Sequence, residues 1–136
     1  MIGSNTGAEL EMFFKVFMAI GGLSGCAGVV LGALTAHAFK HRLDTIALAS
    51  LETVSNYLLI HGLLLVLVAS LAQSSPSSVA LKLAGSLIII GIILFCGGLS
   101  ASLLSGIRTF SAGAPVGGMA FMSAWLLLCI HAWSRV

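Results

Sequence analysis

A chain of 136 residues that is 59% hydrophobic and only 7% charged, with a mean hydropathy of +1.15, lacks the roughly one-quarter charged residues that cover a water-soluble domain. Its six Lys/Arg and four Asp/Glu leave a net charge of +2 spread along the chain, which excludes the clustered basic footprint of a nucleic-acid binder. Cys26, Cys96 and Cys129 lie inside apolar stretches without a CxxC pair or a loop for a disulfide framework, and read as small apolar residues.

Four uncharged windows, Val16 to Phe39, Thr53 to Leu81, Leu83 to Ile107 and Thr109 to Ser134, each hold the roughly 20 residues that a helix needs to cross a bilayer. Runs of this length without period-two alternation are helices rather than barrel strands, because backbone in hydrocarbon must satisfy its own hydrogen bonds. The first helix is predicted over 16–39. Within it Leu23-Ser24-Gly25-Cys26 looks like a lipidation signal, but the apolar run continues to Phe39 where a cleaved signal turns polar. Gly21, Gly25, Gly28, Gly32 and Ala36 recur at helical spacing, a seam of small residues that lets another helix approach closely. Bundle cohesion is the plain reading of that seam, and self-association is the alternative.

Lys40 to Glu52 joins charges to Leu43, Ile46, Ala47 and Leu51 at spacings of three and four, the pattern of an interfacial amphipathic helix. The second span is predicted over 53–73 and is followed by the turn cluster Ser74-Ser75-Pro76-Ser77-Ser78. The third covers 83–104 and repeats the small-residue device with Gly98, Ser102 and Gly106. Gly113-Ala114-Pro115 places a proline where a fourth helix, 116–133, begins. The fold class is therefore all-α. It is a polytopic membrane protein, with one transmembrane domain over 1–136 built as a four-transmembrane-helix up-down bundle. A short interfacial helix lies between the first two spans, and both termini share one side. Phe13, Phe14, Phe17 and Trp133 suit the headgroup level. Lys15, Lys82 and Arg135 on the terminal side balance Lys40, Arg42 and Arg108 on the other, so basic residues do not set the orientation.

Polar groups at membrane depth are costly and mark candidate sites. Thr53, Tyr57 and His61 share a face of the second helix, with Glu52 and Asn56 on its flank, and His61 lies about 12 Å along the axis from Thr53. His37 ends the first span and Arg108 precedes the fourth. His37, Asn56, Tyr57, His61 and Arg108 are thus expected in the leaflet away from the termini. Four readings stand side by side: mutual bonding that fixes helix register, a small-molecule or lipid-headgroup site, proton or ion passage, and haem or quinone service with His37 and His61 as candidate axial ligands. His37 points roughly opposite the glycine seam, which leaves space for a ring without requiring one. His41, beside Lys40 and Arg42, and His131, beside Trp133, read as headgroup-facing. The sequence carries no nucleophile with a base, no metal-ligand spacing and no phosphate-cradling loop, so neither an enzyme nor a resident metal or cofactor is expected.

The runs Gly32-Ala33-Leu34-Thr35-Ala36-His37-Ala38-Phe39-Lys40 and Glu52-Thr53-Val54-Ser55-Asn56-Tyr57 with His61 carry a resemblance. So do the run from Leu94-Phe95-Cys96-Gly97-Gly98 to Gly106-Ile107-Arg108, Pro115-Val116-Gly117-Gly118 and Trp125. Together they resemble the domain-of-unknown-function family 423, the YgdD-like small membrane proteins, which is similar to animal transmembrane protein 256. The resemblance covers about Phe17 to Trp133. It implies a four-helix membrane protein of no established activity in which His37, Thr53, Tyr57, His61, Arg108 and Pro115 match the family pattern. This chain departs from that pattern at Thr35, Leu51, Asn56, Ser100, Ala114 and Ala124, where the family usually has Gly, Trp, Gln, Tyr, Thr and Gly. The expected role is an accessory, assembly or scaffolding subunit whose partners are the lipid bilayer and other membrane subunits or further copies of itself, with no nucleic acid. The expected location is the bacterial inner membrane, with the mitochondrial inner membrane as the alternative.

Overall fold

The computed structural model describes residues 3–134, and every regular element in them is helical. Four helices are long and apolar enough to cross a membrane. Helix α1 (Gly3–Leu34) runs on through a π-helical turn (Thr35–Phe39), and α2 is Thr45–Ser74. Helix α3 is Val79–Ser105 and α4 is Arg108–Trp133. At 1.5 Å per residue the 30 residues of α2 reach about 45 Å, against about 30 Å of hydrocarbon, so the ends of α2 stand among the headgroups.

The polar residues between the spans start and stop these helices. Thr35 Oγ1 donates to the Leu31 carbonyl at 2.8 Å, competing with the main chain for that acceptor where α1 widens into its π turn. The Phe39 carbonyl then accepts from both Arg42 and Leu43 N–H. Asp44, in extended conformation, caps α2 by accepting from Ala47 N–H at 2.7 Å, which satisfies one of the free donors of the first turn. Ser78 does the same for α3 through Leu81 N–H. Gly106 ends α3 with φ +71°, a left-handed conformation that residues with a Cβ rarely adopt. Helix α4 opens as a 3-10 turn (Arg108–Gly113) and becomes α-helical at Ala114, with Pro115 in the first turn.

The four apolar runs are spans, as the sequence indicates, but each helix begins earlier than its uncharged window, and for α2 and α3 the capping residues Asp44 and Ser78 set the starts. The separate interfacial helix expected between the first two spans is not formed. Lys40–Leu43 is a turn, and from Thr45 the chain is already α2. Of Leu43, Ile46, Ala47 and Leu51, the first, third and fourth wall a cavity with Phe39 beside α1 and α3, whereas Ile46 is exposed. Arg135, counted on the terminal side, lies outside the described residues.

Helix α1 packs chiefly on α2 and α4 on α3, and the two pairs join across α2 and α3. The buried core lies at that junction, with Phe17, Leu65, Val68, Leu81, Ile88 and Phe121 among its members. On the terminal side the Ser78 hydroxyl lies 2.9 Å from His131 Nδ1, tying the start of α3 to the end of α4. Lys82 Nζ stands 5.5 Å from the Phe13 ring centroid, where a cation is attracted to the ring face.

Candidate functional site

The α1–α2 seam sets the depth scale. A Cβ built on Gly62 would lie 2.8 Å from the Gly21 carbonyl oxygen and 2.9 Å from Gly25 N, and one on Gly28 would lie 3.0 Å from the Ser55 carbonyl oxygen. The helices therefore meet backbone to backbone. Ser55 Oγ donates to the Gly28 carbonyl at 2.8 Å across the seam, and a Cβ on Gly32 would stand 2.9 Å from the same hydroxyl. Gly21, Gly25, Gly28 and Gly32 thus contribute to an interface inside the chain.

On the other face of α2, near its middle, His61 is buried. Its ring stacks on Phe121 of α4 with centroids 3.7 Å apart and on Tyr57 at 5.3 Å. Tyr57 in turn stacks on Phe95 of α3 at 4.5 Å. Phe121 also lies 5.7 Å from Tyr57 and 6.0 Å from Phe95, so four rings from three helices form one compact cluster. The neighbouring backbones make room for it. A Cβ on Gly91 would stand 2.5 Å from the Phe121 ring, and one on Gly117 would stand 2.6 Å from Phe95 N. Phe95 itself lies in a π-helical stretch of α3 (Ile92–Gly97), an irregularity often found at functional positions.

His61 Nδ1 is 3.0 Å from the Tyr57 carbonyl oxygen. A carbonyl only accepts, so in the neutral ring Nδ1 carries the proton and Nε2 is the acceptor. Among the described residues no fully buried side-chain nitrogen or oxygen lacks a partner. Two hydroxyls nearer the start of this helix bond locally, Thr53 to the Ala49 carbonyl and Ser50 to that of Ile46.

Of the five candidate site residues, the structure brings together Tyr57 and His61. His37, Asn56 and Arg108 are exposed. Because Gly62 meets Gly21 and Gly25, His37 lies about 20 Å farther along α1 than the level of His61. Arg108 begins the helix that carries Phe121, again about 20 Å away along the axis. One ring spanning His37 and His61 does not fit this arrangement, since Phe121 and Tyr57 already cover the His61 imidazole. Among the described residues there is no group of three or more His, Cys, Asp or Glu placed to hold a metal ion.

Gly98 and Gly106 of α3 serve differently from the glycines of α1. A Cβ on Gly98 would meet the Phe110 carbonyl at 2.7 Å, whereas Gly106 has open space around it and ends the helix. Ser102, half-buried, accepts the Gly106 N–H at its own carbonyl at 2.9 Å, so it belongs to that helix end. Phe95, Phe121, Gly62, Gly91 and Gly117 escape a reading by spacing because each matters only opposite a residue on another helix.

Comparison with known proteins places the chain. The sequence model described as "Protein of unknown function (DUF423)" matches residues 31–118. The chain belongs to the DUF423 family. A UPF0382 membrane protein of Staphylococcus haemolyticus is 32% identical over 90% of this chain and 98% of its own length. The UPF0382 membrane protein of Staphylococcus epidermidis is 33% identical over 85% and 93%, and YwdK of Bacillus subtilis, also a UPF0382 membrane protein, is 32% identical over 87% and 96%. No solved structure matches the chain. Within this DUF423 protein the matched stretch holds Tyr57, His61 and Phe95 and the whole lining of the cavity beside the Lys40–Leu43 turn. Phe121 and three glycines of the α1 seam lie outside it.

Proposed function

We propose that this DUF423 protein is an accessory or assembly subunit of a bacterial inner-membrane complex or homo-oligomer, and not an enzyme. The observation that carries the reading is the internal satisfaction of its polar groups. His61 is stacked and bonded within the bundle, Ser55 is bonded across the seam, and no fully buried side-chain polar atom among the described residues is left without a partner. Groups kept in readiness for a substrate or a travelling proton stay partly unmade until it arrives, whereas groups that fix helix register are made within the fold. The working surface is then the lipid-facing exterior, where Leu23, Leu63, Ile93, Met119 and Leu126 are all exposed. The α1 glycines are spent on α2, so contacts with other subunits use these larger side chains rather than that seam. Extraction in mild detergent followed by native mass measurement tests the proposal. A mass above one chain, from copies or from co-purifying subunits, is expected, and a lone chain under conditions that preserve known membrane complexes overturns it.

A further inference from the structure

The end of the bundle away from the termini carries a second feature, separate from the aromatic cluster. The Lys40–Leu43 turn and helices α1, α2 and α3 enclose a cavity of about 290 Å³, at the small end of the range for ligand pockets. Its walls include Leu34, Phe39, Leu43, Leu51 and Leu103, with the Ser100 hydroxyl as the one polar side chain. It is more enclosed than the groove along Gly21 and Gly25. Leu104, which also lines it, is 90% exposed, so its wall continues into the surface that faces acyl chains.

The residues flanking the turn, Phe39 and Leu43, line the cavity, and the three between them are Lys40, His41 and Arg42, all exposed. The turn is held in place because the Phe39 carbonyl accepts from Arg42 N–H at 2.9 Å and Leu43 N–H at 3.1 Å. Among the described residues neither Lys40 nor Arg42 is in an ion pair. Of the nearby acids, Asp44 is turned to its cap on Ala47 N–H, and Glu52 is exposed about two turns into α2. Basic side chains at the headgroup level above an apolar cleft match a ligand with an anionic head and a hydrocarbon tail.

We infer that this cleft binds an anionic phospholipid, with one acyl chain in the cavity and the phosphate on the Lys40–Arg42 turn. The inference does not depend on the accessory-subunit reading, because a single chain contains every residue involved.

The test uses the full chain reconstituted in vesicles of equal parts phosphatidylglycerol and phosphatidylcholine, then released for native mass measurement of retained lipid. Retained phosphatidylglycerol is expected to exceed phosphatidylcholine about thirtyfold, from two basic residues at the surface potential of the bilayer. The exposed double variant Lys40→Gln/Arg42→Gln is expected to erase that preference while lipid is still retained. Ser100→Phe, which fills the cavity from α3, is expected to abolish retention of both lipids, and Ala47→Leu fills it from α2 should the first variant fail to fold. Equal retention of the two lipids by the unaltered chain overturns the inference. So does an unchanged preference in the double variant, or undiminished retention in a folded cavity-filling variant.

Discussion

The two helix pairs use glycine differently. Between α1 and α2 glycine brings backbone against backbone, with Gly62 facing the Gly21 carbonyl and Gly25 N. Between α3 and α4 it does this at Gly117, against Phe95 N, and at Gly98, against the Phe110 carbonyl, but at Gly91 it seats the Phe121 ring. In lipid no hydrophobic effect draws apolar helices together, so packing and interhelical bonds hold both interfaces. The first interface is rigid because neither side can yield. The second can adjust at Gly91, because a phenyl ring has torsions with which to move.

Substitution of Gly62 by Ala is the strongest way to break the first interface. The new methyl would stand within 3 Å of two backbone atoms of α1, and the helices would separate, losing the Ser55–Gly28 bond with the contact. A loss of about 3 kcal/mol is expected, at the upper end of overpacking costs, read from unfolding of the detergent-solubilised protein in a titration with dodecyl sulfate. His61→Leu attacks the junction of the two pairs. It removes the bond to the Tyr57 carbonyl and the stack on Phe121, for an expected loss of about 2 kcal/mol. Mutant protein that unfolds with the unaltered chain would show that the ring cluster does not hold α2 to α4. Gly91→Ala tests the adjustable interface. The atoms nearest its methyl belong to the Phe121 ring, so a loss of about 1 kcal/mol is expected. Phe121→Leu should then cost less in the Gly91→Ala background than alone, a coupling that a double-mutant cycle measures.

The asymmetry between the two interfaces also explains what the sequence made legible. The spans were readable because a run of apolar residues solvated by lipid is a property of one segment, and so was the glycine repeat of α1. Tyr57 and His61 were readable as neighbours because four residues on one helix share a face. The ring cluster was not, since Phe95 and Phe121 meet Tyr57 and His61 only after three helices assemble, and the π stretch that carries Phe95 has no spacing rule. The grouping of His37 and Arg108 with His61 rested on sharing a leaflet, a coarse criterion across about 20 Å of helix axis, and Asn56, on the flank of the same helix, turns to an exposed side of it. The interfacial helix was a sound reading of periodicity with its partner mistaken: the face of Leu43, Ala47 and Leu51 meets protein instead of the bilayer surface.

Finer distinctions within the seam come from single bonds and single directions. Ser55→Ala deletes the hydroxyl that reaches the Gly28 carbonyl at 2.8 Å without disturbing the backbone contact. A loss of about 0.6 kcal/mol is expected, the average for hydrogen bonds between helices in a membrane protein, which detergent unfolding with replicate titrations resolves.

Gly25→Ala should have the smallest effect, although spacing alone ranks Gly25 with Gly21 and Gly28. The Gly25 backbone lies in the interface, since its N is 2.9 Å from the position of a Cβ on Gly62, yet a Cβ on Gly25 itself meets nothing within 4 Å. It would point along the groove of about 480 Å³ that Gly25 lines with Val29, Leu63 and Val66. A helix brings residues four apart to one face but turns each Cβ toward its own side of that face, so one member of a small-residue repeat can be essential and the next free. A change of less than about 0.5 kcal/mol is expected, in the same titration in which Gly62→Ala fails early. A loss at Gly25 comparable to that at Gly62 would mean that α1 and α2 cross with a different rotation, and the depth assigned to His61 would move with it.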